Sequence, residues 1–231
     1  MKIKYIRGTC QNCGSDVEIA IDENADKIYT QNNLASFNFY KNIGLSTCPV
    51  CEYIAPDITK DSAKNFNEIV KTDKYKFLQN YEYLTNIKDV DTNILERYNA
   101  CDYECYAYFL ASQKMFEDSI RYLYRAVELK YAIIKVMNIS KFTDFDDDEE
   151  AERNSIDKFV QDIKQSIDKN QKAIVKMYNE KYNVYTKIMY IITLSGLKQN
   201  KVANCEFEKL KKSDISKDLL DYTKSKIEES L

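Results

Sequence analysis

The residues of this chain whose types and spacing could do chemistry are four cysteines in two C-x-x-C pairs, Cys10 with Cys13 and Cys48 with Cys51. Each pair can place two thiolates on one tight turn, and two such turns complete the closed tetrahedral shell of a structural zinc ion. Gly14 permits a positive φ after the second ligand of the first pair, and Pro49 pre-sets the turn inside the second. The chain has no histidine, so a mixed Cys/His shell is excluded and Cys10, Cys13, Cys48 and Cys51 are the expected ligands. The 34 residues between the pairs exceed the usual zinc-ribbon gap.

Two disulfides or a redox motif are the competing uses of such pairs. Disulfides need an oxidising compartment, whereas the sequence opens Met1-Lys2-Ile3-Lys4-Tyr5 with no apolar leader or cleavage site, so reduced thiols and a cytoplasmic location are expected. A thioredoxin-like motif belongs at the strand-to-helix junction of a βαβ unit, and neither pair has that context.

Other chemistry finds little support. Cys101 and Cys105 lie four apart on one helix face, poorly placed for a disulfide, and read with Cys205 as the remaining thiols; the first two are expected to be small buried residues. Without histidine no Cys-His or Ser-His-Asp nucleophile can be assembled, and no glycine-rich phosphate loop is present. The expectation is a protein that is not an enzyme. The acidic run Asp144 to Glu152 holds seven acids in nine positions, yet as a calcium loop it would place Glu149 where glycine is required and Ser155 where glutamate is. It reads as a solvated loop leading into a helix through Ile156, Phe159, Val160, Ile163 and Ile167.

The elements that must position these residues follow from periodicity. Val17, Ile19 and Ile21 alternate with Asp16, Glu18 and Asp22, and Ala35, Phe37 and Phe39 alternate with Ser36, Asn38 and Tyr40, which predicts two half-buried strands in a small β zinc-ribbon-like module spanning 1–60. Pro56 and Asp57 close that module, and Asp61 or Ser62 can cap a first helix. From Ser62 the apolar period becomes three and four, first in Phe66, Ile69 and Val70 and then in Tyr75, Leu78 and Tyr81, so 61–231 is expected to be helical. Two prolines and four glycines in 231 residues agree with a mainly α chain. No apolar stretch approaches the roughly 20 residues a membrane span needs.

The clearest helices are Ile94 to Met115 and Ser119 to Val136, with Glu117-Asp118 as their short link, predicting an antiparallel hairpin. Set against the tetratricopeptide template, Phe116 takes the aromatic position, Ser119, Leu123 and Ala126 the small, large and small ones, and Ala107 the close approach, with Tyr103, Tyr106 and Leu110 as large neighbours. A second copy uses Ile191, Leu194, Ala203, Phe207 and Leu210, with Gly196 near the end of its first helix. Nineteen tyrosines stand out in a chain without tryptophan. Tyr103, Tyr106, Tyr108, Tyr122 and Tyr124 crowd the central hairpin in greater number than one face can bury, which makes them candidates for a partner-binding surface.

The stretches Cys10-Gln11-Asn12-Cys13-Gly14, Phe39-Tyr40 to Cys48-Pro49-Val50-Cys51 and Ser119 to Ala126, with an acidic entry to a further helix, resemble a bacterial family of unassigned function that joins a two-knuckle zinc module to tetratricopeptide-like helices. Glu52-Tyr53 stands here where that family usually has Gly-Tyr, and its tryptophan in the central hairpin is absent. The resemblance implies the same two-part architecture. Net charge is −3, and Asp16, Glu18, Asp22, Glu23 and Asp26 outnumber Lys27 and Lys41 between the knuckles. A non-enzymatic scaffold that binds a protein or peptide is therefore expected; the alternative is a nucleic-acid-associated regulatory zinc-ribbon protein using Lys2, Lys4 and Arg7.

Overall fold

The computed structural model describes residues 3–22, 32–42, 44–61, 64, 66, 68, 100–140 and 150–229. Strands β1 (Ile3–Thr9) and β2 (Asp16–Asp22) form an antiparallel hairpin in which Ile6 faces Ile19 and Gly8 faces Val17. The period of two buries Val17 and Ile19 and leaves Glu18 and Ala20 outside. A second, minimal hairpin pairs β3 (Ser46–Thr47) with β4 (Ile54–Ala55). The Ser46 hydroxyl donates to the Ala20 carbonyl at 2.7 Å and ties the two hairpins together.

Between them lies helix α1 (Leu34–Lys41), where alternation predicted a strand. Asn33 decides the matter: its Oδ1 accepts from the Ser36 amide at 2.9 Å while its carbonyl accepts from Phe37. Phe37 and Lys41, one turn apart, are buried, and Ala35 is exposed. Six residues of apparent alternation were too few to separate period two from a helix with one deep aromatic.

The helical part contains α2 (Ala100–Ser112), α3 (Phe116–Ser140), α4 (Glu150–Met177), α5 (Val184–Gly196), α6 (Asn200–Leu210) and α7 (Lys217–Glu229). Helices α2 and α3 pack most extensively, and α3 with α4, α4 with α5 and α5 with α6 are also in contact. Their link is Gln113–Met115, and Glu117-Asp118, expected as the connection, lie in the first turn of α3, where negative charge suits the helix N-terminus. The expected helix starting at Ile94 is described from Ala100 onward. The apolar positions from Ile69 to Tyr81 and the run Asp144 to Glu149 fall outside the described residues.

Two links close in the same way. After α2, the Met115 amide bonds back to the Leu110 carbonyl with Lys114 at φ 63°; after α5, the Gln199 amide bonds to Leu194 with Lys198 at φ 61°. Both are Schellman closures with lysine in the left-handed position. Asn183 caps α5 through the Thr186 amide at 2.9 Å. One continuous core joins module and helices, with Tyr53 of the module 4.7 Å from the Phe66 ring, itself 5.6 Å from Phe109 of α2. Among the described residues no helix is long and apolar enough to cross a membrane.

Candidate metal centre and interaction surface

Cys10 and Cys13 sit on the turn between β1 and β2, and Cys48 and Cys51 on the turn between β3 and β4. The two turns share one backbone pattern. The Cys10 amide bonds to the Ser15 carbonyl and Gly14 to Cys10 at 2.9 Å; the Cys48 amide bonds to the Tyr53 carbonyl at 2.8 Å and Glu52 to Cys48 at 2.9 Å. Gly14 (φ 74°) and Glu52 (φ 60°) then take the left-handed conformation directly after the second cysteine of each pair. Glycine does so without a Cβ clash; Glu52 does not have that freedom.

These loops bring all four sulfurs within 4.8 Å of one another, so the four cysteines lie together as a candidate metal site. Cys10 Sγ is 3.8 Å from Cys51 Sγ, and Cys13 Sγ 3.9 Å from Cys48 Sγ, far beyond a disulfide bond. Cys10 and Cys48 are buried, Cys51 half-buried and Cys13 exposed. Burial pushes the Cys10 thiol up and the Cys51 thiol up to about 12, whereas hydrogen bonds from Ser15 pull Cys13 down to about 6. A divalent ion would replace the protons that burial favours on Cys10 and Cys51.

The sequence reading did not single out Asn12. Its Nδ2 donates to Cys51 Sγ at 3.2 Å, across from one knuckle to the other. Charge-assisted N–H···S contacts of this kind stabilise thiolate, and nothing local marks the residue, because its acceptor lies 39 positions away. Among the remaining thiols Cys105 is buried as expected, Cys101 half-buried and Cys205 exposed.

The tyrosine-rich surface is corrected by burial. Tyr103, Tyr106, Tyr122 and Tyr124 are only 4–7% exposed, and Tyr108 is half-buried with its hydroxyl donating to Asn170 Oδ1 at 2.9 Å. They build the core instead: Tyr106 meets Tyr122 edge-on at 4.9 Å and stacks near Phe109 at 6.2 Å. Helix α3 buries several of its faces, against α1, α2, α4 and α5, and so absorbs more aromatics than one amphipathic face would. The exposed tyrosine of α3 is Tyr131, 48% accessible. It borders a groove of about 540 Å³ walled by Tyr124 and Val127 of α3, Gln171 of α4, Ile192 and Gly196 of α5, and Lys226 of α7. Gly196 matters here, since a Cβ at that position would lie 2.3 Å from the Gln171 amide nitrogen.

The basic edge is equally modified by its surroundings. Arg7 is 88% exposed, but its Nε bonds Glu18 across the hairpin at 2.5 Å, and Thr9 faces Asp16 beside it. No protein-family model matches the chain, and neither the curated proteins nor the solved structures compared with it include a match.

Proposed function

We propose that the chain is a non-enzymatic interaction scaffold in which a structural zinc site braces a small module against a tetratricopeptide-like helical array. One observation carries the zinc reading. A tetrahedron with Zn–S bonds of about 2.3 Å has edges of about 3.8 Å, and the cross-knuckle sulfur separations are 3.8 and 3.9 Å. Four thiolates with no open position suit a structural ion rather than a catalytic one. The repeat reading rests on close helix approach. Ala107 and Ala126 are fully buried, and Ser119 Oγ donates to the Ala107 carbonyl at 2.8 Å. The second copy, Ile191, Leu194, Ala203, Phe207 and Leu210, is likewise buried, and the first helix of its hairpin ends in the same closure as α2.

The partner surface in this proposal is the groove bordered by Tyr131, whose apolar floor and charged rim of Glu128, Lys198, Lys226 and Glu229 suit an extended peptide. The nucleic-acid alternative is weakened by Glu18 and Asp16, which offset Arg7 on the outer face of the hairpin. Two measurements test the proposal. Elemental analysis of protein purified without chelator is expected to find one zinc per chain, lost in Cys51→Ser; a metal-free wild type sinks the zinc reading. Partner capture is expected to fail for Tyr131→Ala combined with Ile192→Glu and to survive neutralisation of Lys2, Lys4 and Arg7. The reverse result, with salt-sensitive retention on RNA or DNA, transfers the function to the alternative.

A further inference from the structure

Buried cations in the helical array are matched with carboxylates. Lys130 pairs with Glu104, and Lys41 donates to Glu128 at 2.6 Å. Arg121 of α3 departs from this pattern. It is 8% exposed, no described carboxylate forms an ion pair with it, and its Nε and Nη2 are buried with no acceptor among the described residues.

The reason lies one turn earlier. Helical spacing offers Glu117 as the partner of Arg121, but Glu117 Oε1 accepts from the Asn183 amide at 2.7 Å and from Thr186 Oγ1 at 3.3 Å at the start of α5. The guanidinium is left between two rings, its carbon 4.4 Å from the Tyr40 centroid and 5.2 Å from that of Tyr122. Ring faces stabilise the cation but do not fill N–H bonds that lie in the guanidinium plane. Nε and Nη2 share one edge of that plane with parallel N–H bonds, the spacing that two oxygens of a carboxylate or phosphate match. Arg125, one turn further, also leaves its Nε buried and unfilled while Nη1 donates to Glu128 at 3.1 Å. A buried charge with unfilled donors is costly until a counter-charge arrives.

We propose that Arg121 anchors an oxyanion-binding site where α1 meets α3, taking a carboxylate or phosphate group edge-on through Nε and Nη2. The Tyr40 and Tyr122 rings fix the guanidinium plane, and Arg125 adds positive charge one turn away. The site depends neither on the metal nor on the groove beside Tyr131.

The test uses full-length ¹⁵N-labelled protein titrated with inorganic phosphate and, separately, acetate, with ionic strength held constant by chloride. A buried arginine Nε–H resonance, assigned to Arg121 by its loss in Arg121→Lys or Arg121→Gln, is expected to shift saturably. The melting temperature is expected to rise by about 3–6 °C at a tenfold excess over Kd, and the lysine variant, which keeps the charge without the fork, loses that rise. A response to phosphate alone assigns a phosphoryl ligand, and a response to acetate a carboxylate. Should neither variant fold, the wild-type titration decides: arginine Nε–H signals unmoved by either anion up to about 100 mM overturn the proposal. An equal temperature rise in Arg121→Lys overturns it as well.

Discussion

Glu52, Lys114 and Lys198 hold φ at 60, 63 and 61°, a region that costs a side-chain-bearing residue about 1–2 kcal/mol relative to glycine. After glycine's extra unfolded-state entropy is subtracted, Glu52→Gly and Lys114→Gly are each expected to stabilise by about 0.5–1 kcal/mol. Gly14→Ala should destabilise by a similar amount, because at φ 74° its Cβ meets open space and only the backbone objects. Denaturant midpoints of metal-loaded protein measure both signs; unchanged midpoints would contradict the assigned turns. Asp102 offers a different test. Burial raises its carboxyl from 3.8 to about 6, so the folded state holds a proton that the unfolded chain has lost. Its contribution is intact below pH 4 and disappears as pH rises through 6, a loss of about 2–3 kcal/mol at neutral pH. Asp102→Asn is expected to remove that slope and to stabilise at pH 7; a variant with the wild-type pH profile refutes the assignment.

At the scale of elements, a buried polar junction joins three helices. Lys130 of α3 bonds Glu104 of α2 and donates to Ser166 of α4 at 2.7 Å, with both members of the ion pair 2% exposed. Removing one charge strands the other, so Lys130→Met is expected to cost about 3–5 kcal/mol. Adding Glu104→Leu should recover most of that loss, and the coupling is read from denaturant melts of the two singles and the double. An additive double would mean the pair does not act as a unit. This junction was not legible in the sequence, since Glu104 and Lys130 lie 26 positions apart and each looks like an ordinary surface residue of an amphipathic helix. The strand expected over Ala35 to Tyr40 failed for the converse reason. Its local pattern was ambiguous, and Phe37 settles as a helical residue by packing 5.9 Å from Tyr185 and 5.6 Å from Tyr222, which come from the far end of the chain.

Across the whole molecule, the four-cysteine module is not an isolated appendage. Tyr53 follows the second knuckle directly, its amide carbonyl closes that knuckle, and its ring reaches Phe66 and Phe109. Loss of an ion bound by the four cysteines would therefore propagate into α2. Chelation is expected to lower the melting temperature and to speed amide exchange in Tyr103 to Leu110, while α6 exchanges as before. Hydrogen exchange before and after chelator measures this. Protection in α2 that is indifferent to the metal would show that the module and the helices are energetically separate.

Spacing alone picked out the four cysteines that the fold gathers as a possible metal site, because a C-x-x-C turn is a local structure whose reach is set by covalent geometry, and two such turns need only be brought together once. Strong three-and-four periodicity likewise determined the helical character of 100–140 and of the chain from Phe159 to Leu210, where breakers are scarce. Which residues face solvent was decided only by the tertiary structure. Tyr103, Tyr106, Tyr122 and Tyr124 read as surplus aromatics on one hairpin, yet neighbours on several sides bury them, and Glu117, read as part of a link, lies in the first turn of α3 and accepts from the Asn183 amide at the start of α5. Burial and charge pairing are properties of which elements meet, and that choice is made by contacts tens of residues apart, beyond the range over which a helical or strand repeat carries information.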